Sequence, residues 1–149
     1  MNNLYELVKK FKEKYPMTVA WRLKAHSKVI MSHLNPDEDI MYAFAGQKSE
    51  LSTDVFHTYI VAITNKRIIV AQKRLFFGYF LISITPDLFN DLTIESEIFW
   101  GKVIIDTLRE NVTVSNIDKK ALPEIETAIS SYIDVAKQKY QAVDLKDTE

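Results

Sequence analysis

The 149-residue chain contains no cysteine, which excludes disulfide bonds and thiolate metal sites and is compatible with a reducing cytoplasm. Only three glycines and four prolines are present, too few for a largely disordered or low-complexity chain. No stretch stays apolar for the roughly twenty residues that a membrane-spanning helix needs. The N-terminus also lacks the basic and apolar regions of a signal peptide. These absences predict a cytoplasmic protein that is neither secreted nor membrane-spanning.

Neither sign of charge is in excess, since 19 basic residues stand against 20 acidic residues and the net charge is −1. A nucleic-acid-binding domain usually shows a basic face or an elevated pI, so nucleic acid is not an expected partner. The length fits one compact domain with extra helices at one end, and it is sufficient for a core without crosslinks.

Residues 55–84 are the stretch around which the chain is organised. β-Branched and aromatic residues dominate it, which is typical of strands on a half-buried sheet. Asn65-Lys66 and Gly78 interrupt the apolar runs and predict two turns between three strands. Four more short strands are predicted at 40–46, 92–97, 103–106 and 112–115. The intervening segments 47–54, 85–90, 100–102 and 109–111 are predicted as loops or turns.

Apolar residues recur with helical spacing on both sides of the strands. One apolar stripe runs from Leu4 to Tyr15 and ends before Pro16, a residue that is also suited to begin a second helix reaching Leu34. The pattern becomes helical again from Asp118 to Tyr140. We therefore predict an N-terminal helical hairpin, which packs on the sheet or on another subunit, and an amphipathic C-terminal helix.

Seven short strands followed by one helix is the element order of a pleckstrin-homology (PH) fold. Three segments carry the resemblance: Asp37-Glu38-Asp39-Ile40, the hairpin Ile63-Thr64-Asn65-Lys66-Arg67-Ile68-Ile69-Val70, and Ile98 to Ile105 with Gly101-Lys102. The hairpin is similar to that of bacterial PH domains, the small YokE-like and related groups. The resemblance covers roughly residues 37–136.

The resemblance implies an α+β, mainly β, fold. It would be a seven-stranded antiparallel barrel of two near-orthogonal sheets, capped by a C-terminal helix and preceded by the helical hairpin. The predicted organisation is a helical extension over residues 1–35, a PH-like domain over 36–140 and a flexible tail over 141–149.

Phosphoinositide binding is not part of this expectation. Eukaryotic PH domains that bind these lipids place a basic motif in the first loop between strands. Here that loop offers Lys48 alone, beside Glu50 and Asp54. One lysine against two carboxylates does not supply the convergent basic groups that a multiply charged head group favours.

Catalytic and metal-binding patterns are weak. The three histidines lack a His-x-x-x-His spacing, and Asp37-Glu38-Asp39 lacks the later glycine and glutamate of a calcium loop, so it is predicted to be a solvated turn. Glu95 and Glu97 share the wet face of a predicted strand. No glycine-rich phosphate loop or nucleophile elbow is present. The prediction is a protein without enzymatic activity, metal or other cofactor.

The second predicted turn of the 55–84 stretch carries the strongest functional signal, because it is apolar where polar residues are usual. The candidate interaction surface consists of Lys73, Arg74, Leu75, Phe76, Phe77 and Tyr79. These side chains either fold back into the core or under the N-terminal helices, or they form an exposed patch.

Three hypotheses follow. The first is a cytoplasmic interaction module that uses this patch for protein–protein contact or self-assembly. The second is peripheral binding to an anionic membrane, at its inner face, through the hairpin at residues 73–80. A third, an enzyme or small-ligand carrier, requires an apolar cavity between the barrel and the C-terminal helix, and no sequence feature points to one.

Overall fold

A computed structural model describes residues 3–48 and 57–147, with side chains as far as residue 139. Its helices are α1 (Leu4–Lys14), α2 (Leu23–Met31) and α3 (Leu122–Asp147), and a short 3-10 turn at Lys119–Ala121 precedes α3. The strands are β1 (Ile40–Gln47), β2 (Thr58–Thr64), β3 (Ile68–Lys73), β4 (Tyr79–Ile84), β5 (Phe89–Ser96), β6 (Trp100–Thr107) and β7 (Asn111–Asp118). Beyond Lys48, the loop predicted at 47–54 lies outside the described residues.

The seven strands are antiparallel and follow the order β4-β3-β2-β1-β7-β6-β5, with β4 and β5 at the edges. Among the described residues, β1 and β7 pair in register at Gln47 and Ser115 alone, so the sheet bends there into a half-barrel. Gly46 permits this close approach, because a Cβ atom on it would lie 2.6 Å from Val114 Cγ1. The predicted fold class is confirmed: a mainly β, PH-like antiparallel barrel with a C-terminal helix and an N-terminal helical hairpin.

The interior of the half-barrel is an apolar core closed by one face of α3. Each aliphatic or aromatic side chain buried in it contributes about 1.5–3 kcal/mol through its removal from water. The largest of its side chains that are less than 2% exposed are Phe44, Ile63, Ile68, Ile84, Ile105, Ile117, Ile125 and Ile129.

A second apolar cluster covers the outer face of β1, β2 and β3. The strands contribute mainly small side chains there, so α1 and α2 can lie close against the sheet. The cluster comprises Ala43, Ala45, Ile60, Ala62, Ile69 and Ala71 from the sheet, and Leu4, Val8, Val29 and Ile30 from the helices. Strands β2 and β3 are thus buried on both faces, which explains their uninterrupted apolar sequence. The N-terminal helices pack on the chain's own sheet.

The two segments that best carry the family resemblance are bonded to each other. Glu38 accepts hydrogen bonds from Arg67 Nε at 2.9 Å and Arg67 Nη2 at 3.0 Å, and from the Thr64 hydroxyl at 2.6 Å. Nearby, the Asp39 N–H donates to Asn65 Oδ1 at 2.8 Å. The prediction of a solvated acidic turn is therefore wrong for Glu38, whose side chain is fully buried because Arg67 neutralises it.

Burial opposes the ionisation of Glu38, but its bonds to Arg67, Thr64 and the Asn35 N–H outweigh that effect and lower its pKa to about 2. Arg67 also donates to the His33 carbonyl and the Ser83 hydroxyl. One buried ion pair thereby joins the end of α2 to three strands.

The segment between the two N-terminal helices differs from the prediction. Pro16 does not begin the second helix, since α2 starts at Leu23 and Arg22 before it has a φ of 52°. Helix α2 also ends at Met31, short of the predicted Leu34. Residues 15–22 instead cross the barrel without regular structure. Thr18 is the reason: it is buried, and its hydroxyl accepts the Asp118 N–H of β7 at 2.9 Å.

Two further boundaries differ. The turn predicted at 100–102 is wrong, because β6 begins at Trp100 and the reversal lies at 97–99. Gly101 is a strand residue packed beneath Leu122, whose Cδ1 would lie 2.4 Å from any added Cβ. Helix α3 continues to Asp147 and includes most of the predicted tail. The division into extension, PH-like domain and tail stays a prediction.

Candidate interaction surface at two hairpin tips

The β3–β4 hairpin presents its apolar tip to solvent. Arg74 N donates to Gly78 O at 3.1 Å and closes the turn, and Gly78 supplies the positive φ of 74°. Phe76 is 82% exposed and Phe77 is 88% exposed, so neither folds into the core nor under the helices. Leu75 and Arg74 are exposed beside them.

A second apolar tip, which the sequence analysis missed, joins β5 to β6. Glu97 N donates to Trp100 O at 2.8 Å, and the turn between them exposes Ile98 by 80% and Phe99 by 66%. The sequence signal for this tip is the pair of large apolar residues that follows Glu97. The tip is missed because the sequence pattern predicts the turn three residues later, at 100–102.

The two tips lie at different ends of the strands. Strand β1 is antiparallel to both of its neighbours, β2 and β7, so the end of β1 lies toward the starts of β2 and β7. The β1–β2 connection, the β3–β4 hairpin and the β6–β7 turn therefore share one end of the sheet. The second tip follows β5, which is antiparallel to β6, so it projects from the other end of its strands.

Residues 16–22 run across the barrel from the base of one hairpin to the base of the other. Met17 O accepts the indole N–H of Trp100 at 2.8 Å, at the base of the second tip. Farther along, Trp21 N donates to Thr58 Oγ1 at 2.9 Å, and Arg22 Nη1 donates to Lys73 O at 3.4 Å, at the base of the first tip. Met17 and Trp21 are both about half exposed.

We call the exposed apolar side chains of the two hairpins and of the segment that joins them the apolar rim. Its members come from the two tips, the base of the first hairpin and the bridging segment. They are Met17, Trp21, Leu75, Phe76, Phe77, Tyr79, Ile98 and Phe99.

Polar contacts on the inner side hold the bridging segment in place. The Lys12 ammonium donates to the carbonyls of Pro16 and Thr18. Partial burial lowers the pKa of Lys12, and the negative charge of Asp118 opposes that shift. Because the polar groups of the segment face inward, Met17 and Trp21 are left facing solvent.

Basic side chains surround the apolar rim. They are Arg22, Lys48, Lys73, Arg74 and Lys119, the last of which donates to Ile98 O at 3.1 Å. The exposed acid closest to a tip in sequence, Glu97, lies 3.4 Å from the ammonium of Lys102. Among the described residues the border is therefore basic at the first tip and mixed at the second, where Glu95 and Glu97 both lie near the Lys102 ammonium. Glu50 and Asp54 of the first loop lie outside the described residues.

Helix α2 fixes the base of the first hairpin. His26 Nδ1 accepts the Lys73 N–H at 2.7 Å, and a hydrogen bond of 2.9 Å joins His33 Nε2 to the Tyr79 hydroxyl. Burial, reinforced by the positive charge of Arg22, lowers the pKa of His26 to about 4, so this imidazole is neutral at pH 7. The six predicted residues thus divide into an exposed tip and a base, Lys73 and Tyr79, that is held by histidines.

The described residues supply no obvious catalytic or metal centre. No group of three histidine or acidic side chains lies close enough to hold a metal ion in the described part of the chain. Two lysines of α1 contribute to the fold. Lys12 donates to the Pro16 carbonyl, and Lys14 pairs with Glu124 at 2.6 Å. In the described helices, no segment is long and apolar enough to span a bilayer.

Among known protein families, a profile described as bacterial PH domain matches residues 34–131. A crystal structure of a pleckstrin homology domain from Shewanella amazonensis SB2B is 14% identical, with 72% of this chain and 84% of that chain covered and a TM-score of 0.48. A DUF1696 family protein with a pleckstrin-homology domain from Shewanella loihica PV-4 is 13% identical, with 72% and 92% covered and a TM-score of 0.48. No curated protein matches.

Proposed function

Since this chain belongs to the bacterial PH domain family, we propose that it is a non-enzymatic interaction module that docks through the apolar rim. The observation that supports the proposal is the pair of exposed hairpin tips, Phe76-Phe77 and Ile98-Phe99, bridged by Met17 and Trp21. Side chains this apolar rarely gather on the free surface of a soluble monomer unless they contact something.

An anionic membrane is the surface that this geometry favours. The first tip can insert Phe76 and Phe77, and its basic neighbours Arg22, Lys73 and Arg74 would meet acidic head groups. Each basic residue near such a surface contributes roughly 1 kcal/mol, and each inserted phenylalanine adds up to about 1.5–3 kcal/mol. Docking of this kind would place the protein at the inner face of the membrane.

A protein partner, including a second copy of the chain, is the second candidate. It is favoured by β4, which continues directly from the first tip and is an edge strand of the sheet. An edge strand can pair with another strand, and aromatic and arginine residues are enriched in protein interfaces.

Liposome co-sedimentation at low and high salt tests the first candidate, with vesicles of phosphatidylglycerol and phosphatidylcholine compared with phosphatidylcholine alone. We expect salt-sensitive binding to the anionic vesicles only. Phe76→Asp with Phe77→Asp should weaken it at least about tenfold, and Phe99→Asp should weaken it as well. The matched control is Val135→Asp, because Val135 of α3 is 52% exposed and belongs to neither tip. Equal losses for Val135→Asp and Phe99→Asp would overturn the proposal.

Light scattering over a concentration series separates the second candidate from the first. If the chain self-associates through the rim, the native mass will fall to that of a monomer in the Phe76→Asp, Phe77→Asp variant. An oligomer that is unchanged by this variant counts against rim-mediated assembly. A wild-type monomer that does not bind vesicles counts against both membrane docking and self-assembly, and leaves a different protein as the partner.

A further inference from the structure

A large groove lies between α3 and the end of the barrel that carries the β2–β3 turn, opposite the first tip. Helix α3 packs tightly on the core through Ile125, Ile129 and Ile133, but farther along its length it stands away from β1 and from the β2–β3 turn. The space between them has a volume of about 690 Å³. That volume is in the range of small-molecule sites.

The walls of this groove are mostly apolar and are left uncovered. Met41 of β1 is 65% exposed and Val135 of α3 is 52% exposed, although both are large aliphatic side chains. Ala128 contributes only a methyl group to the same wall, which is one reason why the helix leaves space. An apolar ligand would remove this surface from water, as the core does elsewhere.

Lysines mark the groove's polar part. Lys66 lines it from the β2–β3 turn and Lys139 lines it from α3, whereas none of the described lining residues is acidic. Lys66 has one acidic neighbour outside the groove, Asp37 at 2.5 Å, and both partners of that pair are exposed to solvent. The charge of the lining therefore complements a single anionic group.

We propose that this groove binds a single-chain anionic amphiphile, with its hydrocarbon tail against Met41 and Val135 and its acidic head beside Lys66 and Lys139. The shared chemistry is that of a fatty carboxylate or an anionic lysophospholipid. The site is separate from the apolar rim and does not depend on the function proposed for it.

Isothermal titration calorimetry with decanoate and dodecanoate, below their micelle concentrations, tests this proposal on the full-length chain. Two further methylenes buried against the walls should tighten the dissociation constant about tenfold. Dodecanol, which lacks the charge, should bind several-fold more weakly than dodecanoate. Lysophosphatidylglycerol, compared with lysophosphatidylcholine, tests whether a phospholipid head is accepted in place of a carboxylate.

Matched variants locate the site. Val135→Glu places a like charge on an exposed wall position, so it should abolish dodecanoate binding without unfolding the chain, and Lys139→Glu should weaken binding several-fold. Leu108→Glu, an equally exposed apolar position outside the groove, should bind like the wild type. The rim variant Phe76→Asp, Phe77→Asp should also bind normally. No binding, no dependence on chain length, or full binding by Val135→Glu would overturn the proposal.

Discussion

The Nδ1 atom of His26 accepts the backbone N–H of Lys73 at 2.7 Å, and this bond joins α2 to the last residue of β3. The imidazole is fully buried, and its Nε2 has no hydrogen-bond partner among the described residues. A protonated ring has no acceptor at Nδ1. The base of the first hairpin is therefore held by a neutral histidine.

This bond predicts that the folded chain loses stability at pH values well above those at which carboxylates titrate. The pKa of His26 falls from 6.5 to about 4 in the folded chain, so between these pH values the unfolded chain binds a proton that the folded chain does not. Stability should be complete above pH 7 and should decrease as the pH falls. Between pH 7 and pH 5 we expect a loss of about 2 kcal/mol.

Chemical denaturation at a series of pH values measures this loss. His26→Asn offers a side-chain carbonyl near the position of Nδ1 but does not titrate, so its stability should change less over the same interval. His33→Asn is the control for the neighbouring histidine. An identical pH dependence in the wild type and His26→Asn would show that His26 is not responsible.

The Glu38–Arg67 pair predicts a second, more acidic transition. The pKa of Glu38 is lowered to about 2, so its stabilising contribution is present above pH 4.5 and is lost as the pH falls toward 2. Arg67→Met leaves the carboxylate buried without its partner and should destabilise the fold by about 3–5 kcal/mol.

The exposed Lys66–Asp37 pair provides the matched control for that measurement. It lies one residue away from the buried pair in both segments, yet Asp37→Asn should change the free energy of unfolding by less than about 1 kcal/mol, because solvent screens it. The double variant Glu38→Leu, Arg67→Met should cost less than Arg67→Met alone. Similar costs for the exposed and buried pairs would contradict this account.

Gly46 and Gly78 should differ in their tolerance of alanine. A Cβ atom at Gly46 would lie 2.7 Å from the backbone oxygen of Ser115, where β1 meets β7, so Gly46→Ala should cost about 1–3 kcal/mol or more. Nothing lies within 4 Å of such an atom at Gly78, and its positive φ alone should cost about 1–2 kcal/mol. Thermal denaturation ranks the two, and a larger cost at Gly78 would contradict the prediction.

The N-terminal helices should unfold together with the barrel. Ile30 is fully buried between α2 and the sheet, so Ile30→Ala should lower the global free energy of unfolding by about 2–5 kcal/mol. The control on the same helix is the exposed Lys28→Ala, for which a change within about 0.5 kcal/mol is expected. If Ile30→Ala changed only a separate, early transition, the helices would be an appendage instead.

Much of this fold was predictable because its signals are local. The apolar runs of residues 59–63 and 68–71, the Asn65 turn between them and the helical stripe from Leu122 to Ile133 each specify their element without help from distant residues. The 15–22 segment did not follow local signals. Pro16 permits a helix, but the buried hydroxyl of Thr18 bonds to a strand a hundred residues away, and no local pattern announces such a bond.

The candidate surface was half predictable for the same reason. An apolar turn such as Phe76-Phe77 is conspicuous in the sequence, but its exposure to solvent depends on where α2 and the neighbouring strands end. The contribution of Met17 and Trp21 arises only once residues 16–22 cross the barrel. The groove beneath α3 depends on how far a helix stands from a sheet, which periodicity does not specify.

Because α1 and α2 cover the outer face of β1–β3, that face is not accessible to a binding partner. In the described part of the chain, the rim, the two sheet edges and the groove beneath α3 stay open to a partner. Exchanges of the solvent-facing residues on α1 and α2 should therefore leave recognition intact, whereas one exchange at a hairpin tip should weaken it.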